Sequence, residues 1–167
     1  MKEPALFDEV IVRLRTTSDV SLVFACLEEF VNTFFSSKQL SEQQQIFRKL
    51  PKEIADMLIQ AFASEPITLV NQISTKRKID DFTDKLRKVK TLQLTIAFRC
   101  NEDTITLFSD WVKKNIKKDL IIDLHYDKTI VGGAVLIADG SYKDYSVKKN
   151  LSNRFQIQKD EIYGLLE

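Results

Sequence analysis

The chain has 167 residues, of which 44% are hydrophobic and 29% charged, with a formal net charge of +1. That length suits one large domain or two small ones, and the composition is that of a soluble globular protein able to bury a core. The near-neutral balance excludes a global electrostatic pull toward nucleic acid or a membrane surface and leaves only local patches to consider.

The start, Met1 to Val10, is acidic and lacks an apolar run, so it reads as neither a secretion signal nor an Arg-rich transit peptide. No window is apolar enough to span a membrane, and a cytosolic protein is expected. Cys26 and Cys100 both lie in apolar-periodic contexts and are expected as buried thiols, not as a disulfide.

From Pro4 to about Lys90 the periodicity is helical. Pro4 suits a first turn, and Leu6, Val10 and Leu14 follow at four-residue spacing. Ser18 is the expected cap of a second helix, whose wide stripe of Val20, Val23, Leu27, Phe30, Val31 and Phe34 predicts the centre of a bundle. Ser41 and Gln44 have the spacing of a capping box for a short helix ending near Leu50. Pro51 opens another helix, with Ile54, Leu58, Ala61 and Phe62. Pro66 restarts the pattern with Ile67, Val70 and Ile73. The segment Lys76 to Lys90 is mostly charged, with a narrow stripe of Ile79, Phe82, Leu86 and Val89, and is expected to pack along one edge.

At Thr91 the period changes to two. Leu92, Leu94, Ile96, Phe98 and Cys100 alternate with more polar neighbours, which predicts a half-buried strand. Asn101 or Asp103 caps a helix with Ile105, Phe108, Val112 and Ile116 inward and Trp111 beside them. Ile121 to Tyr126 reads as a second strand, with Asp123, His125 and Asp127 sharing its polar face. Ile130 to Ala138 reads as a third strand, covered on both faces, in which Gly132 and Gly133 mark either a bulge or a place where another backbone comes close. Asp139-Gly140 is a hairpin turn. Asp144 or Ser146 then caps a helix with Val147, Leu151 and Phe155 at four-residue spacing. The predicted class is α+β: a helical bundle over 1–90, a β-α-β-β-α domain over 91–155, and a tail over 156–167 with one possible further helical turn.

Chemistry is sparse. Asp123, His125 and Asp127 could hold a metal in principle, but a polar strand face with the chain's one histidine is more simply a solvated surface. The two glycines have neither the spacing nor the helix start that a phosphate cradle needs. Lys113, Lys114, Lys117 and Lys118 suit a helix C-terminus, and Lys148, Lys149 and Arg154 form a second basic patch without any RNA-binding signature. No convergent nucleophile and base are present, so neither an enzyme nor a cofactor is expected.

One stretch carries a resemblance. Asp127, Ile130-Val131-Gly132-Gly133, the apolar run to Ala138, Asp144-Tyr145-Ser146-Val147 and Leu151 are similar to the signature of the δ subunit family of F-type ATP synthases. The mitochondrial member of that family is the oligomycin-sensitivity-conferring protein. The upstream strand and helix, Leu92 to Ile116, fall where the family places them, whereas the first 90 residues carry no motif of it and lack its Tyr-Ala pair.

The resemblance implies a non-catalytic stator of the peripheral stalk, serving proton-driven ATP synthesis at the cytoplasmic face of a bacterial cell membrane. The helical region would contact α subunits and the αβ domain b subunits, with Asp127, Ile130, Gly132, Gly133, Asp144, Ser146, Val147 and Leu151 as the partner-binding motif. Two alternatives stand beside it. The E-type stalk component of vacuolar and archaeal-type ATPases has a related Gly-Gly strand, followed by an Asn-Thr-Leu pattern where this chain has Tyr-Ser-Val. A nucleic-acid-binding αβ module is the other.

Overall fold

The computed structural model describes residues 3–34, 40–63 and 68–164. Among these, five helices come first: α1 (Glu3–Arg13), α2 (Thr17–Phe34), α3 (Leu40–Phe47), α4 (Lys52–Phe62) and α5 (Leu69–Arg87). Then follow β1 (Thr91–Ile96), α6 (Glu102–Asn115), β2 (Ile121–Tyr126), a one-turn 3-10 helix (Lys128–Ile130), β3 (Ala134–Ala138), β4 (Ser141–Asp144) and α7 (Val147–Gly164). The α+β class and the β-α-β-β-α order expected from the change of period are the observed ones.

The bundle closes on phenylalanine. Each of its five helices sends one ring inward: Phe7, Phe30, Phe47, Phe62 and Phe82, all buried. Phe7 and Phe82 stack with centroids 4.8 Å apart, and Phe30 meets Phe47 at 4.9 Å. Rings at these distances gain from their geometry in addition to the area they bury. The α2 stripe contributes Val23, Cys26, Leu27 and Phe30, as its spacing predicts. The charged α5 does more than pack along an edge: its narrow stripe of Ile79, Phe82 and Leu86 reaches the centre of the core. Its first half differs from expectation, since Ile73 is exposed, and one unbroken helix spans the change of composition at Lys76. The expectations for Pro66 and Ile67 lie outside the described residues.

Caps correct the reading at two places. Thr16, not Ser18, precedes α2: its hydroxyl accepts the Asp19 N–H at 3.2 Å, and Asp19 accepts the Thr16 N–H at 3.1 Å. This reciprocal pair is a capping box with aspartate in the glutamate's place. Ser41 lies inside α3, and Gln44 instead donates to the Ala63 carbonyl at 3.0 Å. Of the two candidates before α6, Asn101 is the cap, accepting from the Thr104 N–H at 3.0 Å. Cys26 is buried as expected, while Cys100 is only half-buried because β1 ends at Ile96 and leaves Phe98 exposed.

The mixed sheet has the order β2-β1-β3-β4, with β1 and β2 parallel across α6 and the remaining pairs antiparallel. Its own core is Leu92, Leu94, Ile96, Val112, Leu120 and Ile122. Ile121, the preceding residue, belongs to the bundle core instead. Next to it, the Ile122 N–H donates to the Arg15 carbonyl at 2.9 Å, so the α1–α2 connection lies along the outer edge of β2. The Lys113 ammonium donates to the Val12 and Leu14 carbonyls, both at 2.7 Å. Burial pushes the pKa of that lysine down, opposed by Asp110 and Asp19.

The two clusters support dividing the chain near residue 90, which we propose with the boundaries 1–90, 91–155 and 156–167; α7 itself runs unbroken across residue 155. Limited proteolysis tests the division. Cleavage is expected at the short link between α5 and β1, leaving two resistant fragments, whereas one indivisible resistant body would reject it. Replacing Lys113 by Met should lower stability by about 1–3 kcal/mol in a denaturant melt, because charged donors to two carbonyls are lost. Lys114→Met, on the exposed side of the same helix, should change it by less than about 0.5 kcal/mol.

Candidate partner-binding surface

The glycine stretch is not the continuous strand expected from its apolar run. Asp127 caps the 3-10 turn by accepting the Thr129 N–H at 2.8 Å, and the chain then reverses at Val131, where φ is 64°. The Gly132 N–H closes that reversal onto the Ile130 carbonyl at 2.7 Å. A positive φ at a β-branched residue is strained, and Val131 is 79% exposed, so packing of its side chain does not offset the cost. Pairing with β1 begins only at Ala134, opposite Ile96. Gly132 and Gly133 therefore lie before the strand, and the residues of β3 are half-buried, not covered on both faces.

The close backbone approach expected at these glycines is present. Gly133 has φ of 84°, and a β-carbon there would sit 2.4 Å from the Tyr145 carbonyl oxygen. The Tyr145 N–H donates to Ala134 and the Val147 N–H to Gly132, both at 2.9 Å. The stretch before β3 is thus laced to the stretch after β4, and glycine at 133 is what lets them meet. The Asp139-Gly140 turn between these strands has φ of 46° and 78°, both positive as the two-residue hairpin requires.

Both predicted caps act at the start of α7. Asp144 accepts the Ser146 N–H at 2.8 Å, and the buried Ser146 hydroxyl accepts the Lys149 N–H at 3.2 Å. The hydrogen bonds from Ser146 hold the Asp144 carboxyl below the usual carboxylate range, as those from Thr129 do for Asp127. Of the eight motif residues, Asp127, Ile130, Gly132, Gly133, Asp144 and Ser146 thus shape the turn and aim the helix. Val147 and Leu151 are instead exposed on α7, in line with the 67% exposed Phe155.

A second apolar surface lies beside this junction. Leu107, Phe108 and Trp111 of α6 face Leu94 and Leu136 of the sheet across an open groove of about 860 Å³, with Tyr145 at its α7 end. The helix reading expected Ile116 inward, yet Ile116, Trp111 and Leu107 are all exposed. Ser109 and Val112 are the residues that α6 buries and Phe108 packs against the same core, so the expected face holds up to Ile116, which lies past the helix end. Leu107 is absent from the sequence reading, and Tyr145 enters it only as part of the family motif. The spacing of Leu107 and Trp111, one turn apart beside a buried stripe, was the available signal.

The polar face of β2 does not assemble a site. His125 meets Asp123 at 2.9 Å, and Asp123 accepts the Thr17 hydroxyl at 3.1 Å, which ties it to the bundle. Asp127 has left the strand for its cap. Among the described residues no group of three or more His, Cys, Asp or Glu side chains could hold a metal ion. Of the first basic patch, Lys113 is taken up by the Val12 and Leu14 carbonyls and Lys117 pairs with Asp119 at 2.9 Å. Lys148, Lys149 and Arg154 are exposed on α7.

Two outcomes follow from the junction. Gly133→Ala should cost about 1–3 kcal/mol through strain at positive φ, while His125→Ala should stay within about 0.5 kcal/mol; thermal melts rank them. Because the folded pKa of Asp144 is depressed, its contribution is present above the ordinary carboxylate range and is lost as pH falls through the folded value. The helical signal of α7 should therefore weaken in acid, and Asp144→Asn should remove that dependence. An unchanged acid profile in the variant would assign the effect to another carboxylate.

A family model described as the ATP synthase delta (OSCP) subunit matches residues 20–156 of this chain. The match extends from α2 through the first half of α7, well into the helical region where the sequence motif was silent. No curated protein matches the chain.

Proposed function

The chain belongs to the ATP synthase delta (OSCP) subunit family, and we propose that it links the catalytic head of that complex to its b subunits. As a member it is a stalk subunit of ATP synthase, a structural part of a membrane-associated complex. No helix among the described residues is long and apolar enough to cross a membrane. The peripheral position at the cytoplasmic face of a bacterial membrane, and the absence of catalysis by this chain, belong to the proposal.

The single observation that carries the reading is the open apolar groove between α6 and the sheet, continued by the exposed Val147 and Leu151 of α7. Contiguous apolar surface of this kind marks a place where another protein binds. A helix of a b subunit fits a groove floored by Leu94 and Leu136 and walled by Leu107 and Trp111, the helix-in-groove mode of recognition. In this reading the bundle of α1 to α5 contacts α subunits, and the motif residues 127, 130, 132, 133, 144 and 146 act by holding α7 in place. Rotation of the central shaft loads such a connector mechanically. A closed phenylalanine core and laced strands answer that demand where reactive groups would not.

Co-purification tests it. Tagged chain should retain the α and b subunits of its own complex and hydrolyse no nucleotide by itself. Trp111→Ser should weaken retention of b by at least roughly tenfold, since exposed aromatics at the centre of an interface dominate its energy, and should leave α bound. Loss of neither subunit would reject the groove. A complex containing nucleic acid that dissolves steeply with salt would favour the nucleic-acid reading instead.

A further inference from the structure

Every residue of α7 from Val147 to Gln156 is exposed, although the helix is 18 residues long. An isolated helix of this length is marginal in water, and its first turns contain Asn150, Ser152 and Asn153, which favour helix weakly. What the helix does carry is a stripe of Val147, Leu151 and Phe155, one turn apart, on an otherwise polar surface. By helical geometry Arg154 borders this stripe on one side and Lys148 on the other. From Val147 to Lys159 there are lysines and an arginine but no acidic residue. Neither Lys148 nor Arg154 takes part in an ion pair among the described residues.

We propose that α7 is one half of a helix pair, and that its occupant is an amphipathic helix of another subunit whose apolar stripe is bordered by acidic residues. The apolar residues would supply the buried seam, while Lys148 and Arg154 select the partner and set its register, as charges bordering a helical seam do. A second copy of this chain is the wrong occupant, because the two seams would bring the same basic borders together. This inference rests on the reading of α7 as partner-binding surface and adds the chemistry of what binds there.

The test uses the full chain and three labelled probes in fluorescence anisotropy. One is the C-terminal segment of the b subunit from the same complex. The others are a synthetic amphipathic helix with Leu at the seam and Glu at the borders, and its twin with Lys at the borders. The b segment and the Glu peptide should bind and the Lys peptide should not. The double variant Lys148→Glu, Arg154→Glu should lose affinity for both binders by roughly tenfold and gain affinity for the Lys peptide. Both positions are exposed, so an unchanged melting temperature is the control for folding.

If the b segment binds and the double variant binds it equally well, the charged borders are irrelevant and this inference falls while the stator reading stands. Binding of the Glu peptide alone keeps the inference and overturns the b-subunit assignment. Charge-sensitive binding of phosphatidylglycerol vesicles or single-stranded DNA, with no response to the Glu peptide, overturns it in favour of an anionic surface.

Discussion

Successive residues of a strand point to opposite faces, and at Ile121 and Ile122 those faces belong to different cores. One isoleucine completes the bundle of phenylalanines, and the other completes the sheet beneath α6. The backbone between them is hydrogen-bonded on one side to β1 and on the other to the α1–α2 connection through Arg15. Everything downstream inherits its position from this crossing point. The sheet cannot shift relative to the bundle without unpairing β2 or withdrawing a side chain from a packed interior, and interiors packed at crystal-like density resist such shifts.

The same economy of backbone contacts governs the far end of the sheet. Residue 133 lacks a side chain where the Tyr145 carbonyl passes, and two hydrogen bonds join the segments on either side. The strain at Val131 is the cost of reversing the chain in the space available, and the capped turn before it helps to hold that reversal. Together these features aim α7 away from the body instead of letting it fold over the groove. A stalk subunit that joins other subunits has use for surface that its own fold leaves uncovered, and here that surface is contiguous.

Much of this is legible in the sequence. The change from helical to alternating period at Thr91, the Asp139-Gly140 turn and the caps of α6 and α7 are local signals whose physics acts within a few residues. The family motif is likewise local, and its glycines mark a site of close backbone approach in sequence and structure alike. Periodicity fails where tertiary contacts decide. The apolar run from Ile130 looks like one strand because alternation cannot register a reversal that depends on a carbonyl many positions away. The inward face of α6 holds at Phe108 and Val112 but takes in Ser109 and loses Ile116, an outcome set by what lies opposite the helix. The cap before α2 shifts to Thr16 because aspartate at residue 19 can serve where glutamate or glutamine is usual. The five-phenylalanine centre is spread over five helices, and no window along the chain contains it.

The strand order has a consequence for how this chain behaves among copies of itself. A sheet is open to recruitment of foreign strands only along its outermost members, where unpaired amides and carbonyls template further growth. One outermost member, β2, is partly occupied by the Arg15–Thr16 backbone. The other, β4, is four residues long, carries Lys143, and is followed at once by the helix cap. Little edge is left to propagate an aggregate, even though apolar groups stay exposed nearby. The molecule can thus present a sticky face to a helix while offering almost nothing to a strand.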